Sequence, residues 1–191
     1  MIFYIFFVAV LAIFAVSEIS LIYGQSEPIN ISNTDAKSYR PQLHVLDDQI
    51  YLVYQDQTPG EPDIFFTTGK INGPFTEPIN ISDNPGRSHF SRLAVTDSGQ
   101  FVTWYDYTSC KSDVYFSRIS KDGTTFQTTN LSDSSGVSYN PWIAASNGII
   151  YVVWNDSTFS DGSIPNIESE CQEGFDSTNH MNIILAKKNM R

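Results

Sequence analysis

Basic residues and cysteines are scarce in this sequence. Its 191 residues include 11 Lys and Arg against 21 Asp and Glu, which gives a net charge of −10. A protein that binds nucleic acid needs a basic surface, so we expect no nucleic-acid partner. Two cysteines are too few for a disulfide-rich scaffold, and no Cys/His cluster has the spacing of a zinc site. We therefore expect neither a metal ion nor another cofactor.

Helical patterning is also missing. No segment of useful length carries the apolar stripe of period 3.6 that marks an amphipathic helix. Hydrophobic residues make up 41% of the chain and aromatic residues 14%, whereas only 17% of the residues are charged. This composition supports a packed core and favours strands and turns, so it predicts an all-β fold.

An apolar segment begins the chain. Residues 1–16 are apolar without interruption, and a second short apolar stretch extends the segment to Gly24. This pattern predicts a secretory signal peptide over residues 1–26, although no basic residue precedes it. The alternative is an uncleaved membrane anchor, for which the apolar segment to Gly24 is long enough. In either case we expect the protein to be extracellular or at the cell surface.

A repeat of fifty residues occupies the remaining sequence. Asn30-Ile31-Ser32 recurs as Asn80-Ile81-Ser82 and as Asn130-Leu131-Ser132. The same offset links three further sets of residues, which are Tyr54, Trp104 and Trp154; Asp56, Asp106 and Asp156; and Thr58, Thr108 and Thr158. A repeat of this length indicates one structural unit used three times.

Each unit divides into four short strands separated by turn residues. In the first unit, Pro41–Leu46 alternates between apolar and polar residues, Gln49–Gln55 is apolar on both faces, and Phe75–Ile81 is the expected fourth strand. Such units are typical of propeller blades, with a β-sandwich as the alternative. We predict three four-stranded antiparallel propeller-type blades at about 28–77, 78–128 and 129–191. Because three blades leave an open arc, a homo-oligomer could complete the propeller, or the chain could have lost blades.

A turn motif between the third and fourth strands of the second unit carries a resemblance. Ser120-Lys121-Asp122-Gly123-Thr124-Thr125-Phe126 resembles the Asp box (Ser-x-Asp-x-Gly-x-Thr-Trp/Phe) of sialidase-type β-propellers, the bacterial neuraminidase repeat, and is one residue shorter. The resemblance implies structural roles for Ser120, Asp122, Gly123, Thr125 and Phe126. Asp122 would accept backbone N–H bonds, Gly123 would take a positive φ, and Phe126 would fill the blade interior.

The resemblance does not extend to a complete catalytic set. Sialidases hold a carboxylate with three arginines and use a Tyr with a Glu partner and an Asp acid/base. Arg40 lies where the first of these arginines would stand, but the Arg-Ile-Pro pattern of the family is absent. We predict no catalytic residue and a non-catalytic surface module that binds carbohydrate or protein. The alternatives are an exo-α-sialidase-type glycoside hydrolase and a structural component of the cell envelope.

The predicted ligand-binding residues are Tyr39, Arg40, Asp56, Asp106 and Asp156. In a propeller the turns before the first strand and after the second strand of each blade share one face, and these residues lie in those turns. Aromatic and cationic side chains suit sugars or acidic groups, so we expect glycans or surface proteins as partners. The three Asp residues would form a ring of carboxylates for a polar ligand. Alternatively, each caps its own turn together with the Thr two residues later.

The third unit carries an insertion of about 157–181 in the loop between its second and third strands. This loop contains Cys171, and Cys110 lies in the equivalent loop of the second unit. In an exported protein a Cys110–Cys171 disulfide is expected, with a stabilisation of about 4 kcal/mol from loop closure. Four Asn-x-Ser sequons make glycosylation possible at Asn30, Asn80, Asn130 and Asn155, with a packing role as the alternative for those in the repeat.

Overall fold

The computed structural model describes residues 27–124, 126–158 and 182–189. The chain divides into two compact units, Met1–Ile31 and Ser32–Arg191. Residues 27–30, the first described part of the chain, form no strand. The predicted signal peptide or anchor over residues 1–26 lies outside the described residues. The part of the chain that is described contains no helix that could cross a lipid bilayer.

The described residues of Ser32–Arg191 form eleven strands and no helix. In chain order they are β1 Ser38–Leu46, β2 Gln49–Asp56, β3 Asp63–Lys70, β4 Ile79–Asn80, β5 Ser88–Thr96, β6 Gly99–Asp106, β7 Asp113–Ile119, β8 Phe126–Asn130, β9 Ser138–Ser146, β10 Ile149–Asp156 and β11 Asn182–Asn189. The all-β prediction is confirmed.

The strands form three antiparallel sheets, one for each sequence repeat. Their strand orders are β1-β2-β3-β4 in sheet 1, β5-β6-β7-β8 in sheet 2 and β9-β10-β11 in sheet 3. We expected four strands in every unit, but sheet 3 has three among the described residues. The fourth strand of sheet 1 is also shorter than predicted, since only Ile79–Asn80 and an isolated Gly69–Phe75 bridge pair with β3. Pro78 has no N–H to donate to β3, which explains the interruption.

Tight hairpins join the first and second strands of each sheet. Asn147 and Gly148 connect β9 to β10 with φ angles of 51° and 75°. Two positive φ angles in a two-residue loop fit the twist of an antiparallel hairpin, and Asn-Gly is the dipeptide that adopts them most easily. The equivalent loop of sheet 1 is Asp47-Asp48, where Asp47 also has a positive φ of 53°.

The sheets pack face to face, and sheet 2 lies between the other two. Strand β5 contacts β1, β2 and β3 of sheet 1, while β9 contacts β5, β6 and β7 of sheet 2. Val102 and Trp104 of β6 belong to the apolar cluster shared with sheet 1. Phe101 and Tyr105 alternate with them and belong to the cluster shared with sheet 3. This double burial explains why β6 is apolar on both faces.

The first strand of each sheet contains a bulge at the same repeat position. The pairing register shifts between Tyr39 and Gln42 in β1 and between His89 and Arg92 in β5, and β9 shifts at the equivalent place. Arg40, Phe90 and Asn140 lie within these shifts and have positive φ angles of 54°, 54° and 50°. A bulge adds one residue to a strand and redirects its side chain, so these three residues leave the normal alternation of the sheet.

Candidate ligand-binding site

The site lies at the edge where the first strand of each sheet begins and the second strand ends. There a buried carboxylate closes the end of each hairpin. In the three sheets the Ser Oγ donates to Asp Oδ2 at 2.6 Å (Ser38–Asp56), 2.6 Å (Ser88–Asp106) and 2.7 Å (Ser138–Asp156). The N–H of Thr58, Thr108 and Thr158 donates to Oδ1 of the same carboxylates at 2.7 Å in each case.

These bonds are the ones that the turn-capping alternative requires. Both oxygens of each carboxylate are engaged within its own hairpin and the adjoining turn. The ring of carboxylates that we predicted for a polar ligand therefore stays a prediction, and its members lie below the surface. No group of three or more His, Cys, Asp or Glu side chains within the described ranges is arranged to hold a metal ion.

The same hydrogen bonds keep two of the carboxyl groups acidic. Burial alone raises the pKa of Asp56, but hydrogen bonds from Ser38, Thr58 and Thr34 outweigh it, and the pKa lies below its usual value. Burial also acts to raise the pKa of Asp156, but hydrogen bonds from Thr158, Ser138 and Trp154 outweigh it, so this pKa is lowered too. Both groups are therefore ionised at neutral pH. The pKa of Tyr54 is raised to about 12, firstly because the residue is buried and secondly because the negative charge of Asp56 is close.

The segment that leads into each first strand is fixed against these hairpins. Thr34 Oγ1 donates to Asp56 Oδ2 at 3.1 Å, and Asn84 Nδ2 donates to Asp106 Oδ2 at 2.8 Å. Gly86 lies so close to the turn after β6 that a Cβ atom there would be 2.4 Å from the backbone N of Thr108. The segments that lead into the first strands are therefore packed closely against the ends of the hairpins.

The Arg40 guanidinium lies over an aromatic ring of the neighbouring sheet. Its Cζ is 3.6 Å from the ring centroid of Phe90 and 6.0 Å from that of Tyr39. Arg40 is exposed and Phe90 is half-buried, and no described carboxylate forms an ion pair with Arg40. A guanidinium that lies over a ring and is exposed to solvent can still donate N–H groups to a ligand acceptor.

Aromatic side chains extend this stack into a shelf. Phe90 stacks on Tyr105 with ring centroids 5.5 Å apart, and His89 lies 5.7 Å from Tyr105 and 6.1 Å from Tyr107. Tyr105 and Tyr107 meet edge to face at 5.8 Å. Arg40 of sheet 1 together with these rings of sheet 2, of which Tyr105 is buried, forms a cationic and aromatic cluster, which we call the Arg40 shelf.

A buried glutamine that the sequence did not single out holds the Arg40 shelf in place. The Gln55 side chain is fully buried, and its Oε1 accepts the N–H of Phe90 at 3.1 Å. Its Nε2 donates to the carbonyl of Ser88 at 3.1 Å and lies 3.0 Å from Nδ1 of His89. Because an amide nitrogen only donates, this contact assigns the His89 ring proton to Nε2. The sequence signal was a departure from the repeat, since Tyr105 and Asn155 occupy the equivalent positions.

The motif that resembles an Asp box lies at the opposite edge of sheet 2, after the end of β7. Ser120 Oγ and the N–H of Thr124 donate to Asp122 Oδ1, and the hydrogen bond from Ser120 lowers the pKa of Asp122. Gly123 has a φ of 70°, and a Cβ there would be 3.3 Å from the Phe66 side chain. Phe126 differs from expectation. It is 41% exposed and pairs with Ile119 at the edge strand, so it does not fill the interior. Thr125 lies outside the described residues.

The Asn side chains of two of the four sequons form hydrogen bonds at the end of the fourth strand of their sheets. Asn80 donates to Asp63 Oδ2 at 2.6 Å, while its own Oδ1 accepts the N–H groups of Ser82 and Asp83 at 3.2 and 3.0 Å. Asn130 Oδ1 likewise accepts two backbone N–H groups, from Ser132 at 3.1 Å and Asp133 at 3.0 Å. Asn155 lies within β10, and Asn30 lies in a described segment without a strand. Glycosylation at these residues stays a prediction.

The predicted disulfide falls partly outside the described residues. Cys110 lies in the turn between β6 and β7 with a φ of 61°, but Cys171 and nearly all of the 157–181 insertion are not described. The Cys110–Cys171 bond therefore stays a prediction.

Comparison with known proteins finds no family model and no curated protein that matches this chain. The resemblance to sialidase-type propellers accordingly depends on residues 120–126 and on the internal repeat alone.

Proposed function

We propose that this protein is an exported, non-catalytic binding module with propeller-type blades, which takes carbohydrate or protein ligands at the Arg40 shelf. The observation that carries the proposal is the exposed guanidinium of Arg40 stacked 3.6 Å above the Phe90 ring. A cation placed on an aromatic platform offers both hydrogen-bond donors and a flat apolar surface to one ligand.

The stacking of the sheets supports the propeller-type arrangement. The first strand of sheet 2 lies against three strands of sheet 1, and the first strand of sheet 3 repeats this relation to sheet 2. Successive blades of a propeller pack in this sequential way. The apolar residues 1–16 support export, because a run of this kind is typical of a secretory signal.

The chemistry of the Arg40 shelf favours sugars or acidic groups as ligands. Aromatic faces accept the C–H surface of a sugar ring, and a guanidinium donates two parallel hydrogen bonds to a carboxylate. The carboxylates of Asp56 and Asp106 near this shelf are buried and already accept hydrogen bonds from their own turns. They are poorly placed to act as an acid/base for hydrolysis, which supports a binding function over a glycosidase function.

A glycan array tests this proposal with two arginine variants of the full-length chain. We expect Arg40→Ala to weaken binding at least tenfold, or about 1.4 kcal/mol, because it removes both the charge and the stack on Phe90. The matched control is Arg118→Ala, since Arg118 is exposed at the opposite edge of sheet 2 and bonds to the Ser98 carbonyl. Equal losses in the two variants would refute the assignment of the site. If the wild type hydrolysed a fluorogenic sialoside and Arg40→Ala did not, the protein would be an enzyme and not a non-catalytic binding module.

A further inference from the structure

Two interfaces inside the stack of sheets are built from the same repeat positions. Between sheets 1 and 2, Leu93 and Val95 of β5 pack in the cluster that contains Ile64 and Phe66 of β3. Between sheets 2 and 3, Ile143 of β9 corresponds to Leu93. It packs in the cluster that contains Val114 and Phe116 of β7, which correspond to Ile64 and Phe66. Each interface therefore joins the first strand of one sheet to the third strand of the preceding sheet.

The outer face of sheet 1 carries the first-strand half of such an interface. Leu43 and Val45 of β1 stand fifty residues before Leu93 and Val95, but they are 62% and 47% exposed. They pair with Leu52 and Ile50 of β2, on the side opposite the cluster shared with sheet 2. We call this surface, defined by Leu43 and Val45, the front face; Leu52 beneath Leu43 is buried.

The outer face of sheet 3 carries the third-strand half. Ile183 and Leu185 of β11 align with Val114 and Phe116 of β7, yet they are 72% and 53% exposed. Ile184 and Ala186 alternate with them and pack against sheet 2, so Ile183 and Leu185 point away from it. Trp142 of β9 is 59% exposed and lies in register with Leu185 through Val153, so it completes this surface, which we call the back face. The guanidinium of Arg92 in sheet 2 lies over one side of its ring, with Cζ 4.2 Å from the centroid.

The exposed apolar surface is concentrated on these two faces. Eight large apolar side chains of the described residues are exposed, and five of them are Leu43, Val45, Trp142, Ile183 and Leu185. Large exposed apolar patches usually mark an interaction surface. The front face matches what sheet 2 presents to sheet 1, and the back face matches what sheet 2 presents to sheet 3.

We propose that the front face of one copy of this chain binds the back face of a second copy, head to tail. The partner is a second copy because the two faces are the separated halves of an interface that the chain already makes twice internally. The contact continues the internal stack with the same residue types at the same repeat positions. A head-to-tail contact uses two different surfaces, so every dimer keeps one front face and one back face available for further association.

Complementation between two charged variants tests the proposal by light scattering on the full-length chain. We expect the wild type to increase in mass with concentration, whereas Leu43→Glu and Ile183→Glu each remain monomeric alone. An equimolar mixture of the two variants restores one intact front-to-back contact, so it forms a dimer and nothing larger. The matched control is Ile71→Glu, because Ile71 is 49% exposed in the turn after β3 and belongs to neither face. It associates like the wild type.

Tryptophan fluorescence adds a readout of the interface itself. The chain has three tryptophans, and Trp104 and Trp154 are buried whereas Trp142 is exposed. We expect association to protect Trp142 from acrylamide at least about twofold, and Ile183→Glu to abolish this protection. Circular dichroism verifies that each variant is folded.

Several outcomes would overturn the proposal. A monomeric wild type across a hundredfold range of concentration would mean that something other than a second copy covers both faces. Dimers formed by each charged variant alone would indicate face-to-face pairing of identical surfaces. A mixture that stays monomeric would exclude the front-to-back contact. Normal association of Arg40→Ala distinguishes this contact from the Arg40 shelf, so the two proposals fail independently.

Discussion

Replacing Gln55 by Leu is expected to destabilise the fold and to loosen the Arg40 shelf together. Gln55 is fully buried between sheets 1 and 2. The equivalent residue is Tyr105 in the second repeat and Asn155 in the third, so no other repeat has a glutamine at this position. Leucine has a similar volume, so the substitution removes hydrogen bonds without opening a large cavity. It leaves the N–H of Phe90 and the carbonyl of Ser88 without the partner that Gln55 supplies.

The size of this effect follows from the two backbone groups. A buried polar group that loses its partner costs about 1–3 kcal/mol, and the added apolar surface of leucine offsets part of this cost. We expect the free energy of unfolding to fall by about 2–4 kcal/mol. With a urea dependence of roughly 2 kcal/mol per molar, the unfolding midpoint would fall by about 1–2 M.

Urea unfolding followed by tryptophan fluorescence measures this shift. The matched control is Gln127→Leu, because Gln127 is an exposed residue of β8 and should change the midpoint by less than about 0.3 M. Glycan binding provides a second readout, since Gln55→Leu should weaken it even where the protein remains folded. A midpoint for Gln55→Leu equal to that of the control would refute the role assigned to the buried amide.

Three further predictions concern ionisation and packing. The lowered pKa values of Asp56 and Asp156 stabilise the fold fully above the unfolded-state value of about 3.9, and this stabilisation is lost as the pH falls through the folded-state values. In acid, the free energy of unfolding should therefore fall less steeply with decreasing pH in the Asp56→Asn/Asp156→Asn double variant. An unchanged dependence of this free energy on pH would contradict the prediction. Tyr54, with a pKa raised to about 12, contributes stability below pH 10 or so that is lost as the pH rises towards 12. Because burial also raises the pKa of Tyr115, absorbance titration should show late-titrating tyrosines, with one fewer in Tyr54→Phe. Gly86→Ala should lower the free energy of unfolding by about 1–3 kcal/mol, because its Cβ would meet the Thr108 backbone N at 2.4 Å. A melting temperature equal to that of the wild type would disprove the clash.

The strands were largely predictable because their signals are local. Alternation over Pro41–Leu46 and double apolar faces over Gln49–Gln55 indicate an edge strand and a central strand, as β1 and β2 are in the structure. The fourth strands carried weaker signals. Pro78 limits β4 to two residues, and the exposed position of Phe126 depends on β8 lying at the free edge of its sheet.

The site was only half predictable because its contacts join different sheets. Arg40 was a candidate from its departure from the repeat, but its stack on Phe90 requires sheet 1 and sheet 2 to pack in one particular register. The role of Gln55 depends on the same packing, since its partners are 33 to 35 residues further along the chain. The repeated Asp residues illustrate the opposite case, in which a strong sequence pattern marks hydrogen bonds that close a turn.

The repeated bulge gives the chain one position per unit that is open to change. A side chain at residue 40, 90 or 140 leaves the sheet alternation; Arg40 and Asn140 are exposed there, whereas Phe90 packs against the apolar cluster of sheets 2 and 3. The left-handed conformation still costs about 1–2 kcal/mol for Arg or Phe and less for Asn. Selection for stability alone would therefore favour Asn or Gly at position 40. On the ligand site proposed above, Arg40 is the residue at which stability is given up for a binding surface.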